Sequence, residues 1–251
     1  MKDPIMKDPV DTEIGRRTRR SLLTGGIAAA AGAGLWAWVA NSPAEQNIPG
    51  ALRRGLQFNE KLSRGIFNGN RRAPEFPLDQ AVKKVRVNED IGMSDDVDRA
   101  TWKVRVSGAA GHAEAVDVPL AEIKNLPHVE HVTELKCVEG WSQVVHWGGA
   151  RFADLAKLYP PPAGTQYVAM ETLDGEYYVG LDLESALQPQ TLLVYEMSGQ
   201  AITEEHGAPL RLCIPTKYGI KNIKQVASIR YTNERPKDYW AERGYDWYAG
   251  L

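Results

Sequence analysis

Short runs of alternating apolar and polar residues fill the chain from Trp102 onward, and they constrain its fold more than any other feature. A run that alternates with a period of two predicts a strand with one buried face. Such runs and short apolar segments predict strands at 102–106, 131–138, 166–172, 177–181, 191–197, 210–214 and 226–231. Short helices are predicted at 120–125, 151–159 and 183–187. Many strands with few crossover helices predict a strand-rich α+β domain with a mixed sheet, not a doubly wound one.

The composition excludes several kinds of binding site. No Gly-x-Gly-x-x-Gly or Gly-Lys-Ser/Thr loop is present, so a dinucleotide or P-loop site has no support. The 30 basic and 32 acidic side chains give a net charge of −2, so we expect no nucleic-acid partner. Two cysteines cannot form a Cys₄ zinc site or a disulfide-dense scaffold. Seven Trp and ten Tyr against four Phe indicate rings placed where one edge meets water or a polar ligand.

The N-terminal residues carry the features of an export signal. A basic segment at 16–20 precedes an uncharged stretch from Leu22 to Ala40 that is rich in Ala and Gly. This order is typical of a signal peptide, and Thr18-Arg19-Arg20-Ser21-Leu22-Leu23 resembles a twin-arginine signal. A helix over the uncharged stretch would span about 28 Å, just enough for a bilayer core. We therefore expect a periplasmic protein, with this segment either cleaved or retained as an inner-membrane anchor.

The residues between the signal and the strand-rich region are predicted to form a helix and an arm. Apolar residues recur near helical spacing over 50–67, which predicts one amphipathic helix. Pro74 and Pro77 favour an extended arm after it. The predicted regions are a signal or anchor at 1–44, a helix and extended arm at 45–87, and a folded domain at 88–251.

The segment 135–150 contains the most reactive candidate side chain, Cys137. We expect Cys137 to end a strand and to enter a turn at Gly140, where its thiolate could face a cleft. A free cysteine in an exported protein is open to oxidation, whereas a bound metal removes its proton and shields it. The alternative is that Cys137 is a small buried apolar side chain, as free cysteines usually are. We expect that second role for Cys213.

Two segments of the chain resemble a known enzyme family. Leu135-Lys136-Cys137-Val138-Glu139-Gly140-Trp141-Ser142 resembles the molybdenum-ligand segment of the sulfite-oxidase fold. Residues 206–224 are similar to the segment of that family that binds the pterin phosphate. The resemblance covers about residues 80–251 and is strongest to the periplasmic protein-methionine-sulfoxide reductases. It implies a molybdopterin-dependent oxidoreductase with a molybdenum–molybdopterin (Mo-pyranopterin) cofactor in a molybdopterin-binding domain of the sulfite-oxidase type.

The resemblance also implies roles for individual residues. Cys137 matches the molybdenum ligand, so it is the expected catalytic and metal-binding residue. The residues expected to bind the cofactor are Asn88, Cys137, Thr172, His206, Arg211, Asn222, Ile223 and Lys224. Arg211 suits the phosphate because a guanidinium binds it through two parallel hydrogen bonds. Lys221 is a neighbour that could assist.

The residues around Cys137 also bear on the substrate. Glu139 and Trp141 lie where sulfite oxidases carry a basic stretch, and a carboxylate there would oppose a dianion such as sulfite. Trp141 and Trp147 are expected to flank a neutral, partly apolar substrate, unless both rings belong to the core. His206 departs from the sulfoxide reductases, which have Asn at that position. We expect reduction of a small-molecule or protein-bound sulfoxide or an N-oxide, with sulfite oxidation as the alternative.

Electron transfer is expected to involve a separate protein. The chain has no Cys-x-x-Cys-His haem motif, and two cysteines cannot hold an iron–sulfur cluster. A membrane haem protein is the expected electron carrier. The remaining hypothesis is an exported binding protein without catalytic activity, and the presence of Cys137, His206 and Arg211 together argues against it.

Overall fold

The computed structural model describes residues 9–45, 48–66, 72–88, 90–94 and 97–251, and the chain forms two compact units, Met1–Gly55 and Leu56–Leu251. The first unit contains helix α1 (Pro9–Ala40) and the paired strands β1 (Ala44–Glu45) and β2 (Ile48–Pro49). Within α1, the segment Arg16–Ala40 is long and apolar enough to cross a membrane. This helix is compatible with the expected signal or anchor.

Helix α2 (Gly50–Ile66) begins in the first unit and continues into the second. It confirms the amphipathic helix predicted over 50–67, although residue 67 lies outside the described residues. In the described part of the arm that follows, Glu75 forms an isolated bridge with Thr133, and a 3₁₀ turn interrupts the extended chain at Leu78–Gln80.

The second unit contains two five-stranded sheets. Its strands are β3 (Lys103–Ser107), β4 (Val116–Pro119), β5 (His128–Lys136), β6 (Ser142–Arg151), β7 (Tyr167–Glu171), β8 (Tyr178–Asp182), β9 (Leu192–Met197), β10 (Gln200–Ala201), β11 (Arg211–Cys213) and β12 (Ser228–Thr232). Its short helices are α3 (Leu120–Lys124), α4 (Phe152–Leu158) and α5 (Leu183–Ala186). Every strand and helix predicted from the sequence pattern in this unit is present, with its ends shifted by a few residues.

The first sheet has the strand order β4-β3-β12-β7-β8, and β12 runs parallel to β3 while the other neighbours are antiparallel. The second sheet has the order β10-β9-β6-β5, with β11 paired to β9, and all of its pairs are antiparallel. One parallel pair among antiparallel ones, with short helices between strands, confirms the α+β prediction.

The sequence pattern did not predict β6, although β6 is central to the second sheet. Two adjacent glycines, Gly148 and Gly149, interrupt its apolar alternation, and the pairing with β9 shifts register between them. A Cβ atom on Gly149 would lie 2.2 Å from the backbone oxygen of Leu193. Glycine is therefore required for the close approach of the two strands at this bulge, and it hides the strand from a pattern based on apolar side chains. The short strands β4 and β10 were also not predicted.

The second sheet is buried on both faces, because neighbouring residues of β9 point to different cores. Leu193 belongs to the main core, which also contains residues of the first sheet, α3 and α4. Val194 belongs to a second core on the opposite face, together with Trp147 and Cys213. Cys213 is thus a buried apolar side chain, as expected, and burial raises the pKa of its thiol to about 12. A sheet that is covered on both sides holds the loops at its strand ends in fixed positions.

Candidate functional site

An open cavity lies where the end of β5 meets the loops on either side of β11, and its volume is about 900 Å³ when the solvent space at its mouth is included. Six of the residues expected from the sequence line this cavity: Asn88, Cys137, His206, Arg211, Asn222 and Lys224. The fold thus brings together side chains that are separated by more than a hundred positions in the chain.

Cys137 occupies the turn that joins β5 to β6. Its backbone nitrogen donates to the oxygen of Trp141 at 2.9 Å, and the nitrogen of Gly140 donates back to the oxygen of Cys137 at 3.2 Å. The thiol is partly buried, and the Nδ2 atom of Asn88 lies 4.0 Å from its sulfur. Burial raises the pKa of Cys137, and so does the Glu139 carboxylate, while the backbone N–H of Glu139 and the charge of Arg86 oppose the rise. A bound metal would be needed to keep this sulfur as a thiolate.

Arg211 is a buried cation at the base of the cavity. Its guanidinium donates to the backbone oxygens of His206 at 2.9 Å and of Asn222 at 3.2 Å, and it lies 5.1 Å from the ring centre of Trp147. Its Nε atom is buried without a hydrogen-bond partner in the described part of the chain. Burial lowers the pKa of Arg211 to about 10. A buried cation of this kind favours the binding of an anion.

Two further basic groups lie near Arg211. Lys224 donates through Nζ to the backbone oxygens of Asn88 at 2.7 Å and of Glu205 at 2.9 Å. Burial and the charges of Arg211 and Lys224 lower the pKa of His206, and Glu205 partly opposes them. Gly207, with φ of 98°, brings the segments of His206 and Lys224 together, since a Cβ there would lie 2.6 Å from the Cβ of Lys224.

These residues fit a cofactor that contains both a metal and a phosphate group. A cysteine sulfur is a soft ligand for a metal, and it faces the cavity. The cluster of Arg211, His206 and Lys224 suits a phosphate, which could also satisfy the buried Nε atom of Arg211. The cavity therefore has the donor set that a molybdenum–molybdopterin cofactor requires.

Three residues that the sequence analysis connected with cofactor binding do not line this cavity. Thr172 is buried; its hydroxyl donates to Asp174 at 2.6 Å and accepts from the backbone of Tyr177 at 3.1 Å. Ile223 is packed in the main core. Lys221 is fully buried in an ion pair with Asp238, so the structure does not support its suggested help with the phosphate. Direct contact of Thr172 and Ile223 with the cofactor stays a prediction.

Aromatic side chains form much of the remaining wall. Trp141 lines the cavity as expected, but Trp147 is only 1% exposed and lies in the second core, so its expected place beside the substrate was wrong. Tyr177, Trp240 and Tyr245 line the cavity instead. The only sequence feature that indicated such rings was the excess of Trp and Tyr over Phe, and this excess does not show which of them line the cavity.

Glu139 lies at the cavity together with an arginine that the sequence analysis did not single out. The indole nitrogen of Trp141 donates to Glu139 at 2.8 Å, and the guanidinium of Arg86 lies 4.7 Å from the ring centre of Trp141. All three side chains line the cavity. Arg86 therefore offsets part of the negative charge that Glu139 brings to the neighbourhood of Cys137.

Comparisons with known proteins agree with this type of cofactor. The model of the oxidoreductase molybdopterin binding domain matches residues 91–240. The chain is 31% identical over 236 residues to the "Putative protein-methionine-sulfoxide reductase subunit YedZ1" of Azospira oryzae, covering 92% of this chain and 86% of that protein. It is 34% identical over 167 residues to the protein-methionine-sulfoxide reductase catalytic subunit MsrP of Burkholderia mallei, covering 60% of this chain. That alignment covers 50% of MsrP.

A solved structure is similar in fold. The sulfane dehydrogenase SoxCD of Paracoccus pantotrophus superimposes with a TM-score of 0.52 at 14% sequence identity, over 56% of this chain and 40% of that chain. At this identity the likeness concerns the fold alone, and it agrees with the expected sulfite-oxidase type of domain.

Proposed function

The chain belongs to the family of oxidoreductase molybdopterin-binding domains, and on this premise we propose that it is an exported enzyme that reduces a sulfoxide or an N-oxide. It is a molybdopterin-dependent oxidoreductase. The observation that carries the proposal is the shared cavity of the Cys137 thiol and the buried Arg211, whose Nε atom has no partner in the described part of the chain.

Each group of residues at the cavity has a separate task. Cys137 would bind the molybdenum through its sulfur, while Arg211, His206 and Lys224 would hold the pterin phosphate. When bound, the cofactor supplies the two-electron redox chemistry of oxygen-atom transfer. Asn88 would orient the cofactor near the sulfur, since its amide already lies beside Cys137.

The wall of the cavity favours a neutral substrate that contains sulfur. The rings of Trp141, Tyr177, Trp240 and Tyr245 offer apolar surface, and divalent sulfur makes favourable contacts with aromatic rings. Glu139 raises the cost of bringing in a dianion. The names of the relatives specify methionine sulfoxide in a protein, and we propose this class of substrate for the present chain.

Arg86 is the specific observation in favour of a second candidate, the oxidation of sulfite. Its guanidinium lies over Trp141 at the same cavity, so an anion would meet a positive charge beside Glu139. The two candidates are distinguished by steady-state assays of methionine sulfoxide with reduced viologen as donor, and of sulfite with an electron acceptor.

We propose export by the twin-arginine route and electron supply by a membrane haem protein. The basic segment before the apolar part of α1 supports export, and the length of Arg16–Ala40 supports its retention as an anchor. A carrier in the same membrane would then meet the enzyme without diffusion through the periplasm.

The proposal is tested by replacing the two cysteines in turn. Cys137→Ala should abolish turnover and most of the bound molybdenum while circular dichroism stays unchanged. Cys213→Ala is the matched control, because Cys213 is buried in the second core, and it should keep its molybdenum. Metal content is measured by mass spectrometry on protein exported from a host that makes the pterin. Unchanged activity of Cys137→Ala would refute the proposed function.

A further inference from the structure

Helix α2 buries charged side chains and exposes apolar ones, which is the reverse of an ordinary surface helix. Its residues Arg53 and Glu60 are 2% and 4% exposed, although both are charged. Glu60 accepts an ion pair from Arg235 at 2.6 Å and a longer one from Arg64 at 3.4 Å. Burying a charge is costly unless it is paired, so these contacts fix which side of α2 faces the protein.

The apolar side of α2 faces outward. Leu52, Phe58, Leu62 and Ile66 are 52%, 67%, 59% and 67% exposed. At 3.6 residues per turn they fall within an arc of about 120° on one side of the helix. A helix on the surface of a globular protein normally turns such a stripe toward the core. The reversed orientation leaves these apolar side chains exposed on one side of the helix, with Asn59 as the polar residue among them, and water does not favour such exposure.

Basic side chains border this face. Arg54 and Lys61 are exposed, and helical spacing places both beside the apolar arc, on the Phe58 side. Glu60 is the single acidic residue of α2, and it points inward toward Arg235. The outer surface of α2 therefore combines an apolar face with a positively charged border, as in helices that lie in the interface of an anionic membrane.

The position of α2 in the chain brings it near a membrane. The candidate span ends at Ala40 and α2 begins at Gly50. The connecting residues 41–49 reach at most about 35 Å when fully extended. If Arg16–Ala40 crosses the bilayer, α2 is thus confined to the neighbourhood of its surface.

We propose that the outward face of α2, formed by Leu52, Phe58, Leu62 and Ile66, lies in the interface of an anionic lipid bilayer. The positive border contacts the lipid headgroups, and the apolar side chains enter the boundary with the acyl chains. The inference builds on the proposed retention of α1 and is independent of the substrate. It assigns α2 the role of holding the catalytic unit against the membrane in a defined orientation.

The test uses the full chain, loaded with cofactor and reconstituted in phosphatidylethanolamine–phosphatidylglycerol vesicles at a low ratio of protein to lipid. A tryptophan is introduced by Phe58→Trp, and the signal of the wild-type chain is subtracted. Lipids brominated on the acyl chain quench only a ring that enters the membrane. The expected result is a blue-shifted emission from position 58 and quenching of at least about twofold.

Leu158→Trp is the matched control, because Leu158 is 50% exposed at the end of α4. Its emission should show no quenching. Adding Leu62→Glu to Phe58→Trp, or replacing phosphatidylglycerol by phosphatidylcholine, should reduce the quenching. Molybdenum content per chain verifies that each variant is folded.

Two results would overturn the proposal. Equal quenching at positions 58 and 158 would show that the α2 face does not enter the bilayer. A blue shift at position 58 that brominated lipids do not quench and that grows with protein density would show that a second copy of the chain covers the face. Because the vesicles contain the full chain and no substrate, neither result depends on the proposed sulfoxide reduction, which Cys137→Ala tests separately.

Discussion

Replacing Arg211 by methionine should weaken cofactor binding while leaving the stability of the cofactor-free protein about unchanged. The fall in the pKa of Arg211 from 12.5 to about 10 corresponds to about 3 kcal/mol by which burial disfavours its charge. Methionine removes this charge while filling most of the space beside Trp147. It also removes the hydrogen bonds to the oxygens of His206 and Asn222, at a cost of about 1–3 kcal/mol for each group left unsatisfied. These effects offset one another, so the cofactor-free variant should be about as stable as the wild type.

Cofactor binding should weaken clearly in the same variant. A hydrogen bond between the guanidinium and a phosphate contributes about 1.5–3 kcal/mol, so its loss should reduce affinity about 10- to 150-fold. The assay measures molybdenum and pterin per chain after dialysis, followed by turnover per molybdenum. The expected result is low occupancy with near-normal activity per bound metal, because Arg211 positions the cofactor and takes no part in the redox step.

Arg105→Met is the matched control, since the side chain of Arg105 is 68% exposed on β3. It should leave occupancy unchanged. If Arg211→Met keeps full occupancy but loses turnover, Arg211 contacts the substrate and the assignment of the phosphate site is wrong.

Other side chains give further expected outcomes. Glu139→Gln removes a charge but keeps the shape, so the rate with sulfite should rise relative to that with methionine sulfoxide in steady-state assays; an unchanged ratio would show that Glu139 does not act on the substrate. The pKa of His206 in the folded protein lies below its ordinary value of 6.5, so the unfolded chain takes up the proton at a higher pH than the folded chain does. The free energy of unfolding should therefore decrease as the pH falls below 6.5. Denaturant titrations of cofactor-free protein at about pH 7 and pH 5 should show a smaller loss for His206→Asn. Lys221→Met leaves Asp238 buried without its partner and should cost about 3–5 kcal/mol of unfolding free energy. A loss of molybdenum per folded chain in this variant would instead indicate a phosphate contact.

The local pattern of the sequence determined most of the secondary structure. Strands β3 and β12 carry alternating buried and more exposed side chains, because each of them buries one face. The turn at Cys137 was also predictable, since Gly140 marks it and its hydrogen bonds join residues four positions apart or fewer. By contrast, β6 was missed because Gly149 is required by the close backbone of β9, which is distant in the sequence.

In the candidate site, too, some features have a signal in the local sequence and others depend on contacts between distant residues. The assignment of Cys137 and Arg211 to the site and the type of cofactor followed from the resemblance of two segments to a known enzyme family, and the structure places both side chains at one cavity. Only the tertiary structure decided that Trp147 lies beneath Arg211 while Tyr177, Trp240 and Tyr245 line the cavity. The structure likewise turned Lys221 toward Asp238 and left the apolar side of α2 outward. In each case the deciding contact joins residues far apart in the chain, so the burial and pairing that fix the side chain have no local signature.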